Sequence, residues 1–258
     1  MGDPVLWLGG WASGLACWRA AIEALYPHRE HIFMDSHAVL EEPGLLALGA
    51  SGLPRNGTLV AWSMGSLILH KALAERTFAA ECRLVSLSPV FEFCHDGGPP
   101  KASLIRMARR LPREREAVLA EFWGISKGNS PVTHGQEAAW LRQSAGYALT
   151  SLLQGLEFLG GTGVDRAALP ASDRHFFLAS PQDPLSPTPR GTSPGREWIG
   201  YSRGHLPFLD YPELLGPLFD GTRPSSAPYP GSQGTASQGD SAHGAGAAGT
   251  GSSGPGKP

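Results

Sequence analysis

The sequence predicts an α/β fold: a mostly parallel sheet covered by helices on both faces, with a helical insertion over one end. Three observations carry that reading. Short apolar, β-rich runs alternate with helix-forming runs from residue 5 to residue 90, and such alternation with short connections indicates a parallel sheet. Within Thr58 to Leu69, TLVAWSMGSLIL, an apolar strand passes into an apolar helix through one tight turn with a serine at its apex. Asp183 and His205 follow at the ends of later β-rich runs, at the edge where open α/β sheets gather ligands.

Taken in order, Val5-Leu6-Trp7-Leu8 is a short buried strand running into Gly9-Gly10-Trp11. Trp18, Ile22 and Leu25 share one face of a helix that Pro27 stops. His31 to Asp35 is a second strand, Val39 to Leu48 a helix interrupted near Pro43, and Ser51 to Gly57 a turn-rich loop. The serine-bearing strand comes next, then a helix from Met64 to about Glu75 and a strand over Arg83 to Ser88. From Phe91 to about Phe158 no strand is evident, and helices are expected over Ser103 to Arg110, Glu114 to Trp123 and Gln136 to Leu159. The sheet resumes at Arg174 to Ala179 and Arg196 to Tyr201, and a helix over about Tyr211 to Phe219 closes it.

The organisation expected is a sheet core over 1–90 and 161–221, a helical lid over 91–160, and a tail over 222–258. The tail, from Thr222 on, contains no Leu, Ile, Val, Phe or Trp. It cannot bury a core, so it reads as disordered.

Composition narrows the function. With 41% hydrophobic and 17% charged residues the chain has a globular balance, and its net charge of −2 gives no general attraction to nucleic acid. No apolar run reaches the length of a membrane span, and no signal peptide is expected. Cys17, Cys82 and Cys94 show no paired spacing, which suits a reducing compartment and a cytoplasmic protein. No close His/Asp/Glu cluster or cysteine pair suggests a metal, and Gly9, Gly10 and Gly14 lack a phosphate-binding pattern. Neither metal nor organic cofactor is expected.

The turn at Ser63 is where chemistry enters. A serine held on a sharp strand-to-helix turn needs small residues two before and two after it, because backbone passes close by. Gly65 meets one requirement; Ala61, one methyl larger than glycine, meets the other. Ser63 is the candidate nucleophile, and serine needs an adjacent base to take its proton during attack. His205, following a glycine at a strand end, is the candidate base, and Asp183 the carboxylate that would orient it. Asp173 precedes its strand and so points to the opposite edge, while Asp35 comes too early in the chain. The charge that develops on an attacked carbonyl needs fixed donors. The backbone N–H of Met64, at the positive end of its helix, and that of Trp11 are the candidates.

LWLGGWASGLACW, AWSMG, SPQDPLSP and GHLPFLDYPE resemble the α/β-hydrolases, in particular the bacterial esterases of biotin synthesis that cleave pimeloyl-acyl-carrier-protein methyl ester. The resemblance spans Val5 to about Phe219. It implies Ser63 as nucleophile, Asp183 as acid, His205 as base, and Trp11 and Met64 as the oxyanion-hole donors. Gly9-Gly10 stands where that family has His-Gly, and Ala61 is unusual there. The leading antiparallel strand pair is missing, and Ser186 to Gly191 replaces a helix. The substrate the resemblance implies is the methyl ester of pimeloyl-acyl-carrier protein, a small acyl ester, with general small-ester, lactone or thioester hydrolysis the alternative. A binding protein with a vestigial elbow is the alternative of another class. A monomer is expected.

One stretch bears on the partner. Lys101 to Arg115, KASLIRMARRLPRER, carries six basic residues against one acid, a net +5 in a chain of net −2. Acyl carrier proteins are acidic, and the resembled family docks them on a basic lid. Arg106, Arg109, Arg110 and Arg113 are accordingly the candidate residues for steering an acidic carrier toward the site.

Overall fold

The computed structural model describes residues 2–13, 15–78, 81–95, 98–186, 197–201, 203–222 and 224. Among them, β1 (Gly2–Leu8), β2 (Arg29–Met34), β3 (Thr58–Trp62), β4 (Arg83–Leu87), β5 (His175–Ala179) and β6 (Glu197–Gly200) form one sheet in the order β2-β1-β3-β4-β5-β6. Every pairing is parallel. TLVAW of β3 and HFFLA of β5 are buried along their whole length, as strands must be when helices cover both faces.

The helices between these strands are α1 (Arg19–Leu25), α2 (Ser36–Glu41), α3 (Gly44–Ser51) and α4 (Met64–Ala74). Between β4 and β5 lie α5 (Lys101–Lys127), α6 (His134–Gly146) and α7 (Leu149–Gly161), and the chain closes with α8 (Pro207–Asp210) and α9 (Leu215–Phe219). From β1 the chain steps outward to β2, then returns to set β3 on the other side of β1. The carboxyl ends of β1 and β3 therefore send their connections in opposite directions and leave a crevice between them. Ser63 stands at that crevice.

The helical stretch differs from the sequence reading in two places. The expected helix over Gln136 to Leu159 is two, α6 and α7, separated by Tyr147 and Ala148, both with extended backbone. Tertiary contacts impose this break: an Arg115 guanidinium donates to the Tyr147 carbonyl, and the Tyr147 ring packs 4.6 Å from that of His37. Conversely, the helices expected on either side of Pro112 run on as one, α5, with a kink at Glu114 (φ −131°, ψ 39°). Proline supplies no N–H to the preceding turn and crowds it, which bends the helix. Arg110 then pairs with both carboxylate oxygens of Glu121, at 2.7 and 2.8 Å, eleven residues on. A straight helix would separate the two residues by about 16 Å, so the pair holds the bend.

The closing helix over Tyr211 to Phe219 is a 3-10 turn at Pro212–Leu214 followed by α9. Trp18 likewise ends a 3-10 turn before α1 begins. The connection over residues 187–196, Gly14, and the tail from residue 225 lie outside the described residues.

Candidate active site

Ser63 directly follows β3 and caps α4 in a backbone conformation, φ 57° and ψ −121°, that side chains other than glycine's rarely adopt. Such a residue stores on the order of 1–3 kcal/mol of strain, and the surroundings hold it there. Its N–H donates to the Leu87 carbonyl at 3.0 Å, and its carbonyl accepts from the Ser66 hydroxyl at 2.6 Å. The Ser66 oxygen in turn accepts from the Val90 N–H at 2.9 Å.

The small residues of the turn now have their reason. A Cβ at position 65 would lie 2.5 Å from the Gly9 carbonyl oxygen and 2.8 Å from that of Leu8. Ala61 is fully buried but sits within β3, paired with Leu8 and Ser86, where one methyl fits. A Cβ at Gly10 would lie 3.2 Å from that of Ser63 and 3.1 Å from the Trp62 ring. The turn after β1 is thus pressed against the serine.

Three side chains meet across this edge. Nε2 of His205 lies 2.7 Å from Oγ of Ser63, and its Nδ1 lies 2.7 Å and 2.9 Å from Oδ2 and Oδ1 of Asp183. A carboxylate only accepts, so Nδ1 carries the proton and the Nε2 lone pair faces the hydroxyl. Ser63, Asp183 and His205 are 4%, 2% and 1% exposed, so the cluster is shielded from water. The N–H groups of Leu185 and Ser186 donate to Asp183 Oδ1 at 2.9 and 3.0 Å. Burial pushes the Asp183 carboxyl up. The His205 imidazole and those two N–H groups more than offset it and hold it below its ordinary value.

Two main-chain N–H groups lie in the turns that flank Ser63. Met64 is the first residue of α4, so its N–H has no intrahelical acceptor. Trp11 follows Gly10, and its N–H has no backbone acceptor among the described residues. The neighbouring Ala12, also at positive φ, donates its N–H to His37 Nε2 at 3.0 Å, and the Ser36 hydroxyl donates to the Gly9 carbonyl at 2.8 Å. Burial lowers the His37 imidazole below its ordinary value, more than Asp35 and Glu41 raise it, which keeps it neutral and able to accept. His37 is not among the residues singled out from the sequence. Its signal was the same one that marked Ser63, a position just past a strand end on this edge.

The helices α5 to α7 contact the cluster through these loops. The Trp11 indole N–H donates to the Leu152 carbonyl at 3.0 Å, and its ring meets that of Phe122 edge-on at 4.7 Å. The Ser144 hydroxyl donates to the Ala12 carbonyl at 2.7 Å, and that of Ser130 to Asp210 Oδ2 at 3.0 Å. An apolar cavity of about 440 Å³ lies between α3, α4 and α7, with Leu46, Ile68 and Phe158 in its walls. None of the three clustered side chains lines it. Its charged neighbours Lys71 and Glu75 pair with each other on the exposed side, so the chemistry belongs to the Ser63 cluster.

The basic stretch lies on α5, away from the three clustered side chains. Arg106, Arg109 and Arg113 are exposed. Arg110 is occupied, bonded to Glu114 at 2.8 Å as well as to Glu121, and Arg115 is turned inward to Tyr147.

No protein-family model matches the chain, and neither does any curated protein sequence. Solved structures do match. An esterase from Exiguobacterium antarcticum superposes with a TM-score of 0.66 at 18% identity, covering 83% of this chain and 89% of that one. A bromoperoxidase from Bacillus anthracis gives 0.64 at 15%, over 83% and 88%. A thermophilic esterase from Thermogutta terrifontis gives 0.59 at 21%, over 83% and 87%. The chain has the α/β-hydrolase fold.

Proposed function

We propose that this chain is a serine hydrolase that cleaves carboxylic esters through an acyl-enzyme on Ser63. The observation that carries this reading is the unbroken run Ser63 Oγ, His205, Asp183, with contacts of 2.7 Å on each side of the imidazole. In this reading His205 takes the hydroxyl proton as Ser63 attacks the ester carbonyl. It then gives that proton to the departing alcohol, and water repeats the sequence to free the acid. Asp183, held ionised, keeps Nδ1 protonated and stabilises the imidazolium. The Met64 and Trp11 N–H groups receive the oxyanion; one such donor supplies on the order of 3 kcal/mol of transition-state stabilisation.

Esterases among the structural relatives support ester hydrolysis in general, and small free esters are the broad form of the proposal. The specific form is the methyl ester of pimeloyl-acyl-carrier protein. It is supported by the sequence resemblance and by exposed Arg106, Arg109 and Arg113 on α5, the helix whose Phe122 ring packs on Trp11. In this form residues 91–160 act as the lid over the acyl chain and the protein works as a monomer. Among the described residues no helix is long and apolar enough to cross a membrane. Cys17, Cys82 and Cys94 are free thiols, and we place the protein in the cytoplasm.

A fluorophosphonate probe tests the chemistry. It should label wild-type protein and fail on Ser63→Ala, and an unlabelled wild type would remove the hydrolase reading. Rescue of biotin-requiring growth in cells lacking their own esterase tests the substrate. Failure to rescue, with free esters still cleaved, would leave only the broad form.

A further inference from the structure

The indole of Trp62 joins the serine turn, the β1 turn and the histidine loop. Its residue immediately precedes Ser63, and its ring lies against Gly10, where an added Cβ would come within 3.1 Å of it. The ring also packs 5.5 Å from the His205 imidazole and edge-on to Phe208 at 5.2 Å. Its Nε1–H donates to the backbone carbonyl of His205 at 2.7 Å, in a buried setting. The adjoining carbonyl, that of Gly204, accepts from the Tyr201 hydroxyl at 3.0 Å, and Tyr201 is braced by Ser88 at 2.7 Å. The two carbonyls that lead into and out of the His205 main chain are therefore both held by side-chain donors.

This arrangement solves a positional problem. His205 lies in a loop between β6 and α8, while Ser63 stands on the turn between β3 and α4. Proton transfer between them requires heavy atoms about 2.6–3.2 Å apart, so the loop has to be registered against the turn. A tryptophan next to the serine, bonded to the main chain of the histidine, does that directly.

We propose that Trp62 is a positioning residue: its indole N–H fixes the His205 main chain, and so sets Nε2 against the Ser63 hydroxyl. Tyr201 plays the same part, more weakly, at Gly204. The proposal rests on the reading of Ser63 as nucleophile and adds the element that registers base to nucleophile.

The test compares wild type, Trp62→Phe and Tyr201→Phe in hydrolysis of p-nitrophenyl butyrate, with active sites counted by fluorophosphonate labelling. Phenylalanine keeps an aromatic ring and removes the donor. In Trp62→Phe, kcat per labelled site should fall about tenfold, the usual scale for one buried hydrogen bond, with KM within about twofold. Tyr201→Phe should lose about two- to threefold. A merely structural role would lower the fraction of molecules that label and the melting temperature, leaving kcat per labelled site where it was. That result overturns the proposal. Should Trp62→Phe not fold, Tyr201→Phe decides, and an unchanged kcat there overturns it too. A wild type that takes no label removes the hydrolase reading and this role with it, whereas a labelled wild type whose variants keep its kcat removes this role alone.

Discussion

The strand-end cluster and the helices above it differ in how their polar atoms are partnered. Around Ser63 every side-chain polar atom of the three residues has a partner, and the main chain beneath is held by Ser66, Leu87 and Trp62. In the cover of α5 and α6 the buried indole nitrogens of Trp123 and Trp140 have no protein partner among the described residues, and beside the cluster neither do Ser13 Oγ and His37 Nδ1. The ion pairs of α5 are exposed and span a kink. Buried polar groups that are fully satisfied specify one geometry, and partly satisfied ones do not. The three clustered side chains are thereby fixed to one geometry, while the bend of α5 rests on ion pairs exposed to solvent.

The largest effects should therefore come from the cluster. Asp183→Asn keeps the shape but lets the imidazole take the wrong tautomer, and kcat for a p-nitrophenyl ester is expected to fall by about 10⁴. A loss of less than tenfold would mean that Asp183 does not orient the base. Gly65→Ala should be next, since its Cβ would meet main-chain oxygens of Gly9 and Leu8 rather than a movable side chain. A cost of about 1–3 kcal/mol is expected, read as the shift in urea midpoint. An unchanged midpoint would show that the β1 turn can give way there.

How far the sequence revealed these features follows the same division. Ser63, Asp183 and His205 were legible because each lies just past a strand end, and strand ends can be read from short apolar runs. The parallel sheet was legible for the same reason. The gap between α6 and α7 was not, because nothing in Gly146-Tyr147-Ala148 breaks a helix as proline would. The break comes from Arg115 and His37, distant in the chain. The continuity of α5 through Pro112 was not legible either, since the bend there is held by Arg110 reaching across to Glu121. Ser36, His37 and Tyr201 support the site through bonds whose partners depend on sheet register, which spacing alone does not fix.

In the cover, the effects should be smaller and substrate-dependent. Arg110 is engaged with Glu114 and Glu121, so Arg109 and Arg113 are the residues to reverse. Changing both to Glu should raise KM for a carrier-bound ester about tenfold in low salt and leave a free ester nearly untouched. Equal effects on the two substrates would remove the docking proposal.

The smallest expected effect lies where the two parts join. Asp210 accepts from Ser130, just past the end of α5, through Oδ2, and its Oδ1 has no protein partner among the described residues. Burial pushes its carboxyl up to about 6, against the pull of the Ser130 hydroxyl and Arg203, with the nearby Asp183 charge adding to the rise. An unfolded aspartate titrates near 4, so between about pH 4 and 6 the folded state binds more protons than the unfolded one. The stabilisation is complete below about pH 4 and is lost as pH rises through 6, on the order of 1–2 kcal/mol after allowance for solvent screening. Asp183 has the opposite sign: held low, it contributes stability above its unfolded value and loses it as pH falls through its lowered one, so the two windows are separate. Asp210→Asn should keep the bond from Ser130, flatten urea stability between about pH 4 and 6, and raise it at pH 7. If the slope survives the substitution, the join is not titrating there, and the cover is coupled to the His205 loop by packing alone.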